Sequence, residues 1–476
     1  MARHDVREYG VVGDGETDDT EAIQSAIDAA AEDDGGTVVV PAGEYLVTPL
    51  FLRSRVEVRL EPGATLVGSE AFDEYPGVEG RWEGAEREVY ASLFTGHDLE
   101  DVAITGGGTI DGQGEVWWEA LHEDSEEHPG ALGRDRPYPG RLDYPRPRTI
   151  NLYDCENVLI RDVTIRNSPS WTIHPVYCEN VTVDNVTIRN PEHSSNTDGI
   201  NPDSCRNVRI SNCDIDAGDD CITIKSGYDE DGRRVGKACE NIVVTNCTMY
   251  HGHGGVVIGS EMSGDVRNVT VSNCVFDGTD NGLRIKTERG RGGVVENIRA
   301  TGIVMCDLKR SAFIATMFYQ GRGVDEPKPV TEETPELREI HYSDITIDGA
   351  PNVTTIRGLP EMPVRDFSLE NVRARNVEQG VQATGVDGFD LRNVSVDAEE
   401  TPAFDVERAE NVEIANVEDP TPDPDEPVVR LNDVEGVVRD CIASADVRTF
   451  LEHAGGDLTL LGNHLDAAER PVVADD

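Results

Sequence analysis

The chain has 476 residues, 37% of them apolar and 5% aromatic, with 47 glycines and 25 prolines, a turn-rich composition whose strand patterns run through nearly the whole length and exclude an acidic disordered protein. Its formal net charge of -50 repels nucleic-acid phosphates, and no segment approaches the roughly 20 apolar residues of a membrane span, so neither nucleic acid nor membrane is an expected partner. Such a charge is tolerable at molar salt, where the Debye length falls to about 3 Å, and points to a halophilic host.

The opening Met-Ala-Arg-His-Asp has neither an apolar signal region nor twin arginines, and the ten cysteines show no CxxC pair and no Cys/His zinc spacing. These features suggest a cytoplasmic protein with reduced thiols, although a trimmed leader would leave the same sequence. Asp18-Asp19-Thr20-Glu21 then precedes Ile23, Ala26, Ile27 and Ala30. That is a helix start followed by i, i+3, i+4, i+7 spacing, and an amphipathic helix here would cap the first coil of a solenoid.

A phrase of the form (Glu/Arg)-Asn-(Val/Ile)-x-(Ile/Val/Ala)-x-(Asn/Asp/Gly) begins at Glu156, Glu179, Arg206, Glu240, Arg267 and Glu296. Within each copy apolar and polar residues alternate, so each is a short strand, and strands recurring at one-coil intervals build a β-solenoid. Cys213, Cys247 and Cys274 each follow an Asn at the same place, where reduced thiols would stack as small buried hydrophobes, and the asparagines suit turn ladders. Degenerate copies at His341–Ile347, Phe367–Val372, Phe389–Val396, Val412–Val417 and Leu458–Leu461 extend the stack nearly to the C-terminus.

The expected architecture is all-β, a right-handed parallel β-helix with an N-terminal capping helix, in one domain over 1–476. Within it 1–60 is the cap and first coils, 150–310 the catalytic coils and 337–476 the C-terminal coils. Leu121–Arg148, Gln320–Glu336 and Pro420–Pro427 interrupt the rhythm; in solenoids such insertions either wall a groove or lie solvated. Trp117-Trp118, just before the first, are either a sugar-stacking face or buried anchors.

Four segments concentrate residues that strands do not need: Asn196-Thr197-Asp198-Gly199, Gly218-Asp219-Asp220-Cys221, Gly252-His253-Gly254 and Arg284-Ile285-Lys286. Asp198 lies about one coil before Asp219 and Asp220, so the three carboxylates can stack one inter-strand step of about 4.8 Å apart. Glycoside hydrolysis needs one carboxylic acid to protonate the leaving oxygen and another carboxylate to direct water, and repulsion within a cluster keeps one proton in place. Arg284 and Lys286, at i and i+2, face one side of a strand and suit an anionic sugar; His253 tunes the acid or holds substrate. Lysine occurs only at 225, 237, 286, 309 and 328, which makes Lys225, at the end of Ile222-Thr223-Ile224, a further substrate-contact candidate. His174, one coil before Asp198, and Asn196, two residues before it, are the others.

In this order and spacing the four segments resemble the signature of the polygalacturonase family, glycoside hydrolase family 28. The resemblance also takes in Tyr9-Gly10, Gly13-Asp14-Gly15, Pro41-Ala42-Gly43 and Asp111-Gly112-Gln113-Gly114. It implies an inverting hydrolase of α-1,4-linked galacturonate, acting without metal or other cofactor on galacturonate-containing oligo- or polysaccharide. It further implies that Asp219 is the general acid, that Asp198 and Asp220 activate water, that His253 supports the acid, and that Arg284 and Lys286 bind the substrate carboxylate. Family members often place a Tyr after the Arg-x-Lys strand; here neither Phe313 nor Tyr319 aligns cleanly.

An intracellular setting and a groove closed by Leu121–Arg148 would favour exo action over endo action or a rhamnogalacturonan or substituted-galacturonan hydrolase. Two readings from other classes stand further off. A β-helix polysaccharide lyase would want a basic Arg or Lys and often Ca²⁺, and a non-catalytic carbohydrate-binding solenoid would lack the charged constellation.

Overall fold

The computed structural model describes residues 2–127, 142–321, 326–444 and 446–475. Two compact units make up the chain, Met1–His253 and Gly254–Asp476.

In the first unit, parallel strands stack in three columns. One runs Ala2–Asp5, Gly36–Val40, Val56–Leu60, Glu100–Gly106, Glu156–Arg161, Glu179–Asp184, Arg206–Ser211 and Cys239–Thr245. A second runs from Asp14–Asp18 through Gly43–Val47, Ala64–Gly68, Thr109–Asp111, Thr164–Arg166, Thr187–Arg189 and Asp214–Ala217 to Thr248–His251. The third holds Leu50–Phe51, Phe94–His97, Ile150–Tyr153 and Ile173–Val176 and continues through single bridges at Ile200 and Ile222.

The repeat phrase accounts for the register. Val158, Val181, Val208 and Ile242 pair in line, as do Ile160, Val183, Ile210 and Val244, so each coil drops the same two β-branched side chains into a buried interior,. The Asn of each phrase adopts the left-handed region, with φ of 57°, 59°, 59° and 60° at Asn157, Asn180, Asn207 and Asn241. Their amides form a ladder, Asn180 donating to Asn157 at 3.2 Å, Asn207 to Asn180 at 3.2 Å and Asn241 to Asn207 at 3.1 Å. Asn serves because it tolerates this backbone and carries both donor and acceptor. All ten cysteines are free, and all but the half-buried Cys306 are buried.

The helix Thr20–Glu32 buries Ile23, Ala26, Ile27 and Ala30 against Ala2–Asp5, Gly36–Val40 and Val56–Leu60, covering the first coils as the periodicity requires. Asp19 tethers its start by accepting from the Val12 and Gly13 amides at 2.6 and 2.9 Å.

An antiparallel hairpin, Gly77–Trp82 with Ala85–Tyr90, departs from the solenoid. Glu83 and Gly84 turn it with φ of 47° and 77°, the doubly positive turn that matches strand twist. The Leu121–Arg148 interruption lies partly outside the described residues. Its beginning ends the helix Glu115–Glu127, in which Trp117 and Trp118 are buried. Trp117 is packed against Phe72, Tyr75 and Tyr90, and the Trp118 indole donates to the Ser168 carbonyl at 3.0 Å. Both anchor the insertion, so the sugar-stacking alternative does not apply to them.

The second unit repeats the parallel plan. Val256–Gly259 pairs Leu283–Lys286, which pairs Ser311–Thr316, and Val266–Ser272, Val294–Cys306 and Glu336–Arg357 follow in a second column. Phe313, Tyr342, Phe367 and Phe389 form a buried ring ladder at centroid spacings of 5.3, 5.5 and 6.0 Å. Gln320–Glu336 is described only in part and contributes Tyr319–Gly321, a 3-10 turn. Among the described residues no helix is long and apolar enough to cross a membrane.

Candidate active site

At one edge of the third column in the first unit, the chain leaves regular strand at Asp198, Asp219 and Asp220. One carboxylate oxygen from each comes within 4.8 Å of the others, so residues 21 positions apart in sequence meet as the one-coil spacing requires. The local glycines permit it. A Cβ at Gly218 would stand 2.3 Å from the Ser194 carbonyl oxygen, and one at Gly252, where φ is +73°, would stand 2.5 Å from the Asp219 carbonyl oxygen.

The three carboxylates sit in different surroundings. Asp198 is 2% exposed, and its Oδ2 accepts from Asn201 Nδ2 at 2.9 Å and Thr223 Oγ1 at 3.1 Å. The Lys225 ammonium lies 3.8 Å from the same oxygen. Asp219 is partly exposed; its Oδ1 accepts from the Asp220 amide at 2.9 Å and faces Nδ1 of the half-exposed His253 at 3.0 Å. The His253 amide in turn donates to the Asp219 carbonyl at 3.0 Å, fixing ring and carboxylate together. Asp220 is buried. On spacing alone this trio would accept a cation; at Asp198 Oδ2 the hydrogen bonds from Asn201 and Thr223 and the charge of the nearby Lys225 ammonium would compete with one,.

Behind Asp198 lies a buried polar cluster that sequence reading does not foresee. Arg81, at the end of the first hairpin strand and wholly buried, pairs with Asp203 at 2.9 Å and donates to Ser204 Oγ at 2.9 Å. Trp82 stacks on Trp171 with centroids 4.8 Å apart. Arg148 lies 5.1 Å above Trp82 and 5.7 Å above Trp171 and donates to the Arg81 carbonyl. Lys225 approaches the Trp171 ring at 4.7 Å.

Of the weaker candidates, Lys225 joins the triad directly. His174 has no exposed surface; it packs edge-on to Trp171 at 4.7 Å and turns Nε2 toward Asp203 at 3.5 Å. Burial lowers its pKa to about 4, with Asp203 opposing and Arg148 and Lys225 adding to the effect, so its ring is neutral at pH 7. Asn196 adopts a φ of 55° and its Oδ1 accepts from the buried Arg146 at 2.7 Å, while Arg146 also binds the Pro169 and Ser195 carbonyls at 2.9 Å each. Geometry thus gives His174 and Asn196 scaffolding contacts.

In the second unit Arg284 and Lys286 lie on one strand with Ile285 buried between them. Tyr319 lies 5.7 Å from Arg284 and 5.5 Å from Lys286, ring to cation, whereas Phe313 is buried in the ring ladder. Tyr319 is therefore the tyrosine beside this pair.

Asn201, Thr223, Arg81, Arg146 and Arg148 were missed. Thr223 carried a usable signal: it stands two residues before Lys225 and so shares its face of the strand. Hairpin Gly77–Tyr90 carried another in its two-residue Glu-Gly turn. The partners of the three arginines are set by coils far away in sequence.

Fold and carboxylate cluster together define a β-helical glycoside hydrolase. The chain belongs to glycosyl hydrolases family 28, whose sequence profile matches residues 34–375. A relative named "Probable polygalacturonase" from Vitis vinifera is 36% identical over 375 residues, 77% of this chain and 72% of that one. One named "Exo-poly-alpha-D-galacturonosidase" from Dickeya chrysanthemi is 30% identical over 431 residues, 82% and 69% of the two chains. The crystal structure of a hyperthermoactive exopolygalacturonase from Thermotoga maritima superposes with a TM-score of 0.72 at 32% identity, covering 84% of this chain and 92% of that one.

Proposed function

We propose that the protein hydrolyses α-1,4-galacturonosyl linkages in polygalacturonate or oligogalacturonides with inversion, removing residues from a chain end. The observation that carries this reading is the unequal environment of three carboxylates held within 4.8 Å. Asp219, partly exposed and held by His253, gives its proton to the glycosidic oxygen as the C1–O bond breaks. Asp198 and Asp220, both buried, take the proton of the attacking water. Arg284 and Lys286 hold a galacturonate carboxylate, with Tyr319 beside them,. His174 and Asn196, offered as substrate contacts by position, act by supporting Trp171 and the Asn196 turn, and residues 1–476 work as a single domain.

Support for exo action comes from the hairpin Gly77–Tyr90. It is bolted by Arg81 to Asp203 and by Trp82 to Trp171, and Trp171 leads through Lys225 to Asp198, so the hairpin stands as a wall beside the triad. The relatives from Dickeya chrysanthemi and Thermotoga maritima are named for exo action. A requirement for molar salt follows from the charge of -50,. The cytoplasmic location expected from the opening residues gains no support from the fold or the relatives.

Digestion of trigalacturonate followed by proton NMR tests both stereochemistry and end. Galacturonate monomer and dimer, with the newly formed reducing end first seen as the β anomer, is the expected result. A first-formed α anomer would refute inversion, and random oligomers from polygalacturonate would move the assignment to endo action.

A further inference from the structure

Lys225 is one of five lysines in a chain with 92 acidic residues, and it is 4% exposed. A buried ammonium is costly unless it is paired. Its Nζ lies 3.8 Å from Asp198 Oδ2 and 4.7 Å from the centroid of Trp171. Trp171 is itself stacked on Trp82, with the Arg148 guanidinium against both rings. The same Asp198 oxygen takes hydrogen bonds from Asn201 and Thr223, so two hydrogen-bond donors and one ammonium surround one oxygen of a carboxylate that belongs to a cluster of like charges.

The charged and titratable groups around Asp198 fall into two sets. Asp219 and Asp220 favour its protonated form. Lys225 at contact distance and Arg148 behind Trp171 favour its ionised form, while Asp203 is matched by Arg81 and His174 is neutral. Without a fixed cation, the repulsion among three carboxylates would leave the proton free to settle on any of them, and a proton on Asp198 abolishes a base.

We propose that Lys225 is a positioning residue that acts through Asp198: its ammonium, held against Trp171, keeps Asp198 ionised and aimed as the water-activating base, which confines the cluster's proton to the acid side. This rests on the assignment of Asp198 to water activation. It differs from a substrate contact in what Lys225 touches and in what its loss would do.

The test compares wild type, Lys225→Met and Lys225→Arg in molar salt. Carbon NMR titration of aspartate carboxyls, with the Asp198 signal assigned by its loss in Asp198→Asn, reads the charge state without substrate. Loss of an opposite charge at this distance is expected to raise the Asp198 midpoint by about one pH unit or more, with Lys225→Arg restoring most of it. The acid limb of the kcat/KM profile on trigalacturonate should rise by the same amount, with KM on the plateau changed by less than about twofold. An unmoved Asp198 midpoint overturns the proposal. So does a large rise in KM with an unmoved acid limb, which would make Lys225 a substrate contact. Failure of the wild type to cleave galacturonan would overturn the hydrolase reading instead, and the NMR midpoint would still decide what Lys225 does to Asp198.

Discussion

His174 gives the buried cluster beside the site a measurable signature in stability. Its pKa falls from 6.5 to about 4, first through burial and then through Arg148 and Lys225 acting against Asp203. Between those values the unfolded chain holds a proton that the folded chain does not, so stability is fully present above pH 6.5 and is lost as pH falls through about 4. At about 1.4 kcal/mol per pH unit, the difference amounts to about 3 kcal/mol. The many other carboxylates also titrate in this window, so the informative quantity is the gap between wild type and His174→Gln, in which their contributions cancel. Urea unfolding in molar salt, followed by tryptophan fluorescence, suits the purpose because all four tryptophans lie in the first unit and Trp171, stacked on Trp82, packs edge-on to His174. The wild type should lose about 3 kcal/mol more than His174→Gln between pH 7 and pH 4. Parallel pH dependence in the two proteins would mean that the buried His174 ring contributes nothing to the acid lability of the fold.

Arg81→Met leaves Asp203 as a buried carboxylate without its guanidinium; a loss of about 3–5 kcal/mol in the same unfolding assay is expected, and in digests of polygalacturonate a shift from monomer toward longer products as the hairpin loosens. Asp419 is buried and its pKa is raised by that burial to about 6, so its folded form holds a proton longer than the unfolded one and stability falls as pH rises from about 4 to 6. Asp419→Asn, which retains an acceptor for the Thr421 amide, should therefore stabilise the protein by about 3 kcal/mol at pH 7, an advantage that vanishes near pH 4 by calorimetry. The surplus of carboxylates predicts loss of activity and a lower melting temperature on dilution from molar salt; full activity and an unchanged melting temperature in dilute buffer would contradict it.

The solenoid was legible because its rule is local and repeated. Each phrase places two β-branched residues inward and an Asn at the left-handed corner, and the helix Thr20–Glu32 announces itself by the spacing of Ile23, Ala26, Ile27 and Ala30. The triad was legible for the same reason: one coil of sequence separates Asp198 from Asp219, so a stack places them together. What stayed hidden is the environment that makes these carboxylates unequal. Arg81 reaches Asp203 across 122 positions, Arg146 reaches Asn196 across 50, and no periodicity links such partners. For His174 and Trp117 the sequence left a sugar contact and a packing role both open, and their burial supports the packing role. Tyr319 could be separated from Phe313 only once the strand Ser311–Thr316 was seen to turn Phe313 into the interior.

In the proposed reaction the Asp198, Asp219, Asp220 cluster performs hydrolysis with Asp219 as the proton donor. The most direct measurement is reducing-end release from polygalacturonate in molar salt by wild type and Asp219→Asn, with absorbance for unsaturated products recorded in parallel. The expected result is release of galacturonate by the wild type, no unsaturated product, and a loss of about 10²–10⁴-fold in kcat in a variant whose tryptophan fluorescence is unchanged. An Asp219→Asn enzyme of near wild-type activity, or unsaturated product from the wild type, would contradict it.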